Sequence, residues 1–97
     1  HKSNSDFELK MQKKINVYFS QALLKECVPF LSKELGLDIR LSEEVNSMDN
    51  LTVDLDLGGE KVSVSEIIKR IIAHVKKGHG ILLKVVEKDN KIVIDRG

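Results

Sequence analysis

Two apolar segments, each ending at a glycine and followed by a strand pattern, constrain the fold of this chain more than any other feature. Apolar residues recur at helical spacing before Gly36 and before Gly80; an alternating segment follows Gly36 and an apolar one follows Gly80. The segments align when the first is shifted by 44 positions, which places Leu24 on Ile68. Because one helix and one strand bury too little apolar surface alone, we expect both units to share a single core.

The composition describes one domain with little net charge. The chain has 97 residues, which suits a single domain, and 41% of them are hydrophobic. Its 16 basic and 15 acidic side chains leave a formal net charge of +1. Nucleic-acid-binding domains usually carry a clear basic excess, because phosphate contacts supply most of their affinity, so this balance argues against that class. No apolar run reaches the length that crosses a bilayer, which predicts no membrane insertion.

Alternating apolar residues predict the strands of the first half. Residues 15–19 predict a strand, and residues 7–12 predict its extension or a partner for it. Residues 1–6 are polar and are expected to fray. Further alternation predicts strands over residues 37–41 and 51–57.

A first helix is predicted between Ser20, as its N-cap, and Gly36, as the glycine that ends it. Its apolar arc is wide, which is typical of a helix covered on more than one side. Pro29 lies well inside this segment, where it removes a backbone hydrogen bond. The helix is therefore expected either to kink or to start late.

A second helix is predicted from a capping box, with Ser63 as N-cap and Glu66 three residues later. Gly78 or Gly80 is expected to end it. The apolar faces of both helices, together with the central alternation, predict a set of core residues. These are Leu24, Leu31, Val53, Ile68, Ile71 and Ile72.

The remaining segments complete the order of elements. Residues 42–50 are polar and predict a loop. Residues 81–86 and 91–95 predict strands, and Asp89-Asn90 between them suits the turn of a hairpin. The sequence thus predicts an α+β fold with the order β-α-β-β-α-β-β.

Residue types that carry chemistry are present but do not form a recognisable site. His74 and His79 lie five apart with no second cluster of ligands, which argues against a metal centre. Asp54 and Asp56 alternate onto the solvent side of one strand and lack the cleft that a catalytic pair needs. Cys27 is the only cysteine, and we expect it to be a buried apolar residue. We therefore predict no catalytic residue, no metal, no cofactor and no small-molecule substrate.

The second helix has a basic side that is a possible interaction face. It is formed by Lys69, Arg70, Lys76 and Lys77. One interpretation is a surface for a protein partner, and the alternative is a small nucleic-acid-binding domain that uses this basic face. Lys76 and Lys77 stand near the C-terminal end of the helix, which repels anions and attracts cations, so these lysines also suit the helix dipole.

The order of elements resembles that of a known family. The matching stretches lie between Ile15 and Ile94 and read INVYFS, ALLKECVPFLSKELGLDI, LTVDLDL, VSVSEIIKRIIAHVKKGHGILLKVV and NKIVI. They are similar to the short N-terminal domain shared by bacterial secretins and TonB-dependent receptors, a module also found in some anti-sigma regulators. On this resemblance residues 15–97 form the domain, and residues 1–14 are an N-terminal extension, partly disordered or carrying an extra strand.

The resemblance implies a structure and a role. It implies two helices sandwiched between two small β-sheets and a periplasmic location in the cell envelope. In secretins the module receives inner-membrane or substrate components, and in receptors it signals to a regulator. The implied partner is another envelope protein or a neighbouring copy. Several short strands leave a sheet edge open unless the sheets close, so edge-strand pairing is the expected contact.

Overall fold

The computed structural model describes the backbone of residues 2–97 and the side chains of residues 7–97, and helices are interspersed with strands along this part of the chain. The helices are α1 (Lys2–Gln12), α2 (Leu24–Leu35), α3 (Glu43–Asn46) and α4 (Val64–His79). The strands are β1 (Lys14–Ile15), β2 (Tyr18–Leu23), β3 (Asp38–Leu41), β4 (Thr52–Asp56), β5 (Val62–Ser63), β6 (Leu83–Lys88) and β7 (Lys91–Arg96).

The longer strands form two small sheets. Strands β2 and β4 pair antiparallel in the first sheet. The second sheet has the order β3-β7-β6, in which β3 runs parallel to β7 and β6 runs antiparallel to it. A separate two-residue antiparallel pair joins β1 to β5. Strands β3 and β6 are therefore the outer strands of the three-stranded sheet.

Helices α2 and α4 connect the two sheets. Helix α2 packs against β2 and β4 of one sheet and against β3 of the other, and α4 contacts both β4 and β6. Each long helix is thus covered by strands of both sheets, as the wide apolar arc of the first helix indicated. The predicted α+β class with small sheets is confirmed.

The core is built from the apolar faces of these elements. Five of the six predicted core residues are buried, namely Leu24, Leu31, Val53, Ile68 and Ile71. The sixth, Ile72, is only partly buried and packs at the edge of the core, so its prediction as a core residue is wrong. Within the described side chains, every buried residue is apolar.

The N-terminal segment is helical where alternation predicted a strand. Residues 7–12 belong to α1, so the strand prediction for them is wrong. Phe7 and Met11 are four residues apart and share one helix face, which packs towards α4, whereas Leu9 is 67% exposed. A short alternating pattern does not distinguish a strand from a helix, because residues four apart lie on the same face in both. The backbone of residues 2–6 belongs to α1. His1 and the side chains of residues 2–6 lie outside the described residues, so the expected fraying of residues 1–6 stays a prediction.

The first long helix starts later than its predicted cap. Ser20 lies in β2 and is not an N-cap, and α2 begins at Leu24 with Pro29 as its sixth residue. The strand continues because Gln21 forms a bulge at φ 50°, where its N–H donates to Asp54 Oδ1 at 2.7 Å. The helix thus starts later than predicted, but Pro29 still lies inside it, beyond the first turn.

Several local predictions are confirmed at the chain's turns and helix ends. Ser63 Oγ accepts a hydrogen bond from the Glu66 N–H at 3.2 Å, and Gly80 ends α4 in the left-handed conformation. Asp89 and Asn90 both have positive φ, as a two-residue hairpin turn requires. The prediction of a loop over residues 42–50 is wrong for residues 43–46, which form α3.

Candidate protein-interaction site

The four predicted basic residues lie on one exposed side of α4. Lys69, Arg70, Lys76 and Lys77 are all exposed, and α4 presents them in two rows with a seven-residue spacing. Arg70 forms an ion pair within the helix: its Nε lies 3.1 Å from Oε2 of Glu66, four residues earlier. The structure therefore brings these residues together on a convex helix surface.

Sequence reasoning missed a groove between α2 and β3. It has a volume of about 520 Å³ and is open to solvent. Its lining comes from α2, β3 and α3, namely Lys25, Val28, Pro29, Ser32, Lys33, Asp38, Ile39, Arg40, Leu41 and Asn46. Volumes of this size are typical of sites that bind ligands or peptide side chains.

The position of the groove follows from the chain's local structure. Gly36, in the left-handed conformation at φ 65°, ends α2 and turns the chain directly into β3. Such a short connection forces β3 to lie against the helix it has just left. Pro29 sits on the exposed side of α2 and lines the groove.

The outer edge of β3 faces this groove. The Ser42 N–H donates to the Ile94 carbonyl of β7 at 3.0 Å, so the even-numbered residues of β3 direct their backbone groups towards β7. Neighbouring residues of a strand point their N–H and C=O groups to opposite edges. Ile39 and Leu41 therefore present theirs to the groove side.

Ser32 forms hydrogen bonds with backbone groups only at the N-terminal end of this edge. Its hydroxyl donates to the Leu37 carbonyl and accepts from the Ile39 N–H at 3.4 Å. The Ile39 carbonyl and both backbone groups of Leu41 lie beyond the reach of that interaction. They are the main-chain groups that an added strand would use.

The outer edge of the sheet at β6 differs from the outer edge at β3 in the cavities that lie beside it. Small cavities of about 100 to 220 Å³ lie beside β6, and residues of α1 such as Phe7 and Met11 line them. Helix α1 thus lies next to this side of the sheet. The groove beside β3 is more than twice as large as any of these cavities.

Charged side chains surround the groove. Arg40 donates to both carboxylate oxygens of Asp38, at 2.7 and 3.0 Å, and these hydrogen bonds lower the pKa of the Asp38 carboxyl. Lys25 lies 2.9 Å from Asp49 in an exposed ion pair. Lys33 has no ion-pair partner among the described residues. The rim is consequently basic, with three cationic lining residues against one acidic residue.

The other residues singled out from the sequence have structural contacts. Asp54 accepts from the Gln21 backbone and lies 3.7 Å from His74, and Asp56 accepts from the Gly58 N–H at 2.8 Å. His79 instead accepts from the Thr52 N–H, so the two histidines have different partners. No group of three or more possible metal ligands occurs in the described part.

Cys27 is inaccessible for chemistry at neutral pH. Its side chain is buried in the core. Burial raises the pKa of the Cys27 thiol to about 11, and the nearby Glu26 carboxylate adds to the shift. A thiol with such a pKa is a poor nucleophile at neutral pH, because the thiolate is the reactive form.

These observations define a small α+β fold with a sheet edge that opens onto a basic groove. No family model, curated protein or solved structure matches the chain. In the region that the structure describes, no helix is both long and apolar enough to pass through a membrane. Any assignment of function therefore depends on the geometry of the site and on the resemblance found in the sequence.

Proposed function

We propose that this chain is a non-catalytic docking domain that binds another protein by pairing the outer edge of β3 with an extended segment of that partner. The observation that carries the proposal is the position of the Ile39 carbonyl and both Leu41 backbone groups beside an open groove, beyond the hydrogen bond from Ser32. Edge pairing obtains affinity from main-chain hydrogen bonds, and neighbouring pockets add specificity through alternate side chains.

The resemblance to the short N-terminal domain of secretins and TonB-dependent receptors supports the biological setting of this proposal. In this setting the domain lies in the periplasm of a bacterial envelope and docks an envelope protein or a neighbouring copy, for secretion or for signalling. The two long helices, each packed between two small sheets, agree with the fold that the resemblance implies. Cell fractionation with an antibody against the chain tests the location, and recovery in the cytoplasm contradicts it.

The binding mode can be tested without a known partner. Peptides selected from a displayed random library are added to the full chain, and amide hydrogen exchange is compared with and without peptide. We expect slower exchange at Leu41, whose amide points to the groove and gains an acceptor, and little change on the exposed side of α4. The Ile39 amide already donates to Ser32 and serves as an internal reference. Protection confined to α4 residues 66–77 would overturn edge pairing.

Nucleic-acid binding through Lys69, Arg70, Lys76 and Lys77 is the competing outcome. These side chains are all exposed on α4, so they are accessible to phosphates. Fluorescence anisotropy with single- and double-stranded oligonucleotides at two salt concentrations distinguishes the two modes. Binding that weakens strongly with salt, and that is lost in Lys69→Glu and Lys76→Glu, would replace the docking proposal.

A further inference from the structure

The groove has an apolar floor and a basic rim, and this combination specifies a partner. Val28 and Pro29 from α2 and Ile39 and Leu41 from β3 supply apolar lining. Lys25 and Lys33 lie on the helix side of the opening, and Arg40 lies on the strand side. An apolar side chain can therefore enter the groove between two lysines on the helix side and one arginine on the strand side.

The cations differ in how far they are already neutralised. Arg40 shares its charge with Asp38, and Lys25 shares its charge with the exposed carboxylate of Asp49. Lys33 is exposed and has no ion pair among the described residues. Exposed ion pairs exchange partners at little cost, so the rim attracts an incoming carboxylate, chiefly at Lys33.

The backbone at the edge of β3 sets the conformation of the occupant. With Ser32 bound to the Ile39 N–H, the remaining groups are the Ile39 carbonyl, the Leu41 N–H and the Leu41 carbonyl. Residues of an extended chain can use these three groups without displacing Ser32. Alternate side chains of such a chain point to opposite faces, so one enters the groove while its neighbours lie outside it.

We infer that the groove between α2 and β3 binds an extended acidic segment of another protein, in which apolar residues alternate with Asp or Glu. The apolar residues occupy the floor, and the carboxylates contact Lys33 and its neighbours on the rim. This inference rests on the proposed docking function and adds the chemistry of the partner to it.

The probes are two short synthetic peptides, one alternating Val with Glu and one alternating Val with Lys. Backbone amide shifts of the full chain are followed by NMR during titration. We expect the Glu peptide to shift the amides of Ile39 and Leu41 and the Lys peptide to bind at least about tenfold more weakly, with the difference shrinking at high salt. A Glu peptide with N-methylated backbone amides should lose binding, because it lacks the donor for the Ile39 carbonyl.

Matched charge reversals locate the contact. Lys33→Glu should weaken the Glu peptide by about three- to tenfold, whereas Lys77→Glu on α4, an identical change at an exposed lysine, should leave its affinity unchanged. Equal binding of both peptides at β3 would overturn the acidic partner while leaving edge pairing intact. Binding of neither peptide, or equal effects of both reversals, would also overturn the inference.

Discussion

His79 accepts a hydrogen bond from the backbone N–H of Thr52, with its Nε2 atom 3.1 Å from the amide nitrogen. His79 is the last residue of α4 and Thr52 is the first residue of β4, so this contact fastens the end of the helix to the edge of the strand. The Leu51 carbonyl accepts from Leu24 on the β2 side, which leaves the Thr52 N–H directed away from β2. The imidazole therefore satisfies a backbone donor at an otherwise open edge.

Removal of this acceptor should destabilise the fold. We expect His79→Ala to lower the free energy of unfolding by about 0.5–1.5 kcal/mol, because a partly buried backbone donor loses its partner. His74→Ala is the matched control, since His74 only makes a long, partly exposed contact of 3.7 Å with Asp54 and should cost about 0–1 kcal/mol. Urea denaturation measures both, and a larger effect at His74 would contradict this role.

Neighbouring isoleucines on α4 provide a test of the core. Ile71 is 1% exposed, so Ile71→Ala should lower the free energy of unfolding by about 2–5 kcal/mol, through lost burial and the cavity left behind. Ile72→Ala removes the same atoms from a partly buried position and should cost clearly less. Chemical denaturation of both variants checks the order, which equal effects would refute.

The N-cap of α4 predicts a smaller effect. Ser63→Ala should cost about 0.5–2 kcal/mol, because the Glu66 N–H loses its acceptor at the start of the helix. Ser65→Ala, two residues later and inside the helix, changes the same atoms without removing a cap and should stay within about 0.5 kcal/mol of the parent chain. Thermal unfolding followed by circular dichroism compares them. Equal melting temperatures for the two variants would argue against the cap.

Burial of Cys27 predicts slow alkylation. Since its pKa is raised to about 11 and its side chain is buried, the native chain should react with iodoacetamide at neutral pH far more slowly than the urea-unfolded chain. Mass spectrometry of timed samples measures the modified fraction. Similar rates in both states would show that the thiol is accessible.

The raised pKa of the Cys27 thiol also predicts that the folded chain loses stability at alkaline pH. In the unfolded chain the thiol ionises near its ordinary pKa of 9.0, whereas in the folded chain it stays protonated until about pH 11. Its contribution is therefore fully present below pH 9 and is lost as the pH rises towards 11. The free energy of unfolding of the parent chain should fall more steeply across this interval than that of Cys27→Ala, which lacks the thiol. Parallel pH profiles would contradict this assignment.

Sequence alone determined the features that depend on residues close together in the chain. Ser63 caps α4 and Gly80 ends it because a hydroxyl and a flexible backbone satisfy nearby groups, whatever the rest of the fold does. Asp89 and Asn90 form the hairpin turn for the same local reason. The buried positions of Ile68 and Ile71 followed from a helical period long enough to be unambiguous.

Tertiary structure alone decided which surfaces remain available. Alternation predicted β3 but not its neighbour, and only its pairing with β7, more than fifty residues away, makes it an outer strand. The groove needs this pairing together with the packing of α2, and the helical state of residues 7–12 needs the contact of α1 with α4. Periodicity records which side of an element is buried, and it carries no information about the element that buries it. The candidate site consequently exists only in the assembled fold, because its residues come together only when distant strands pair.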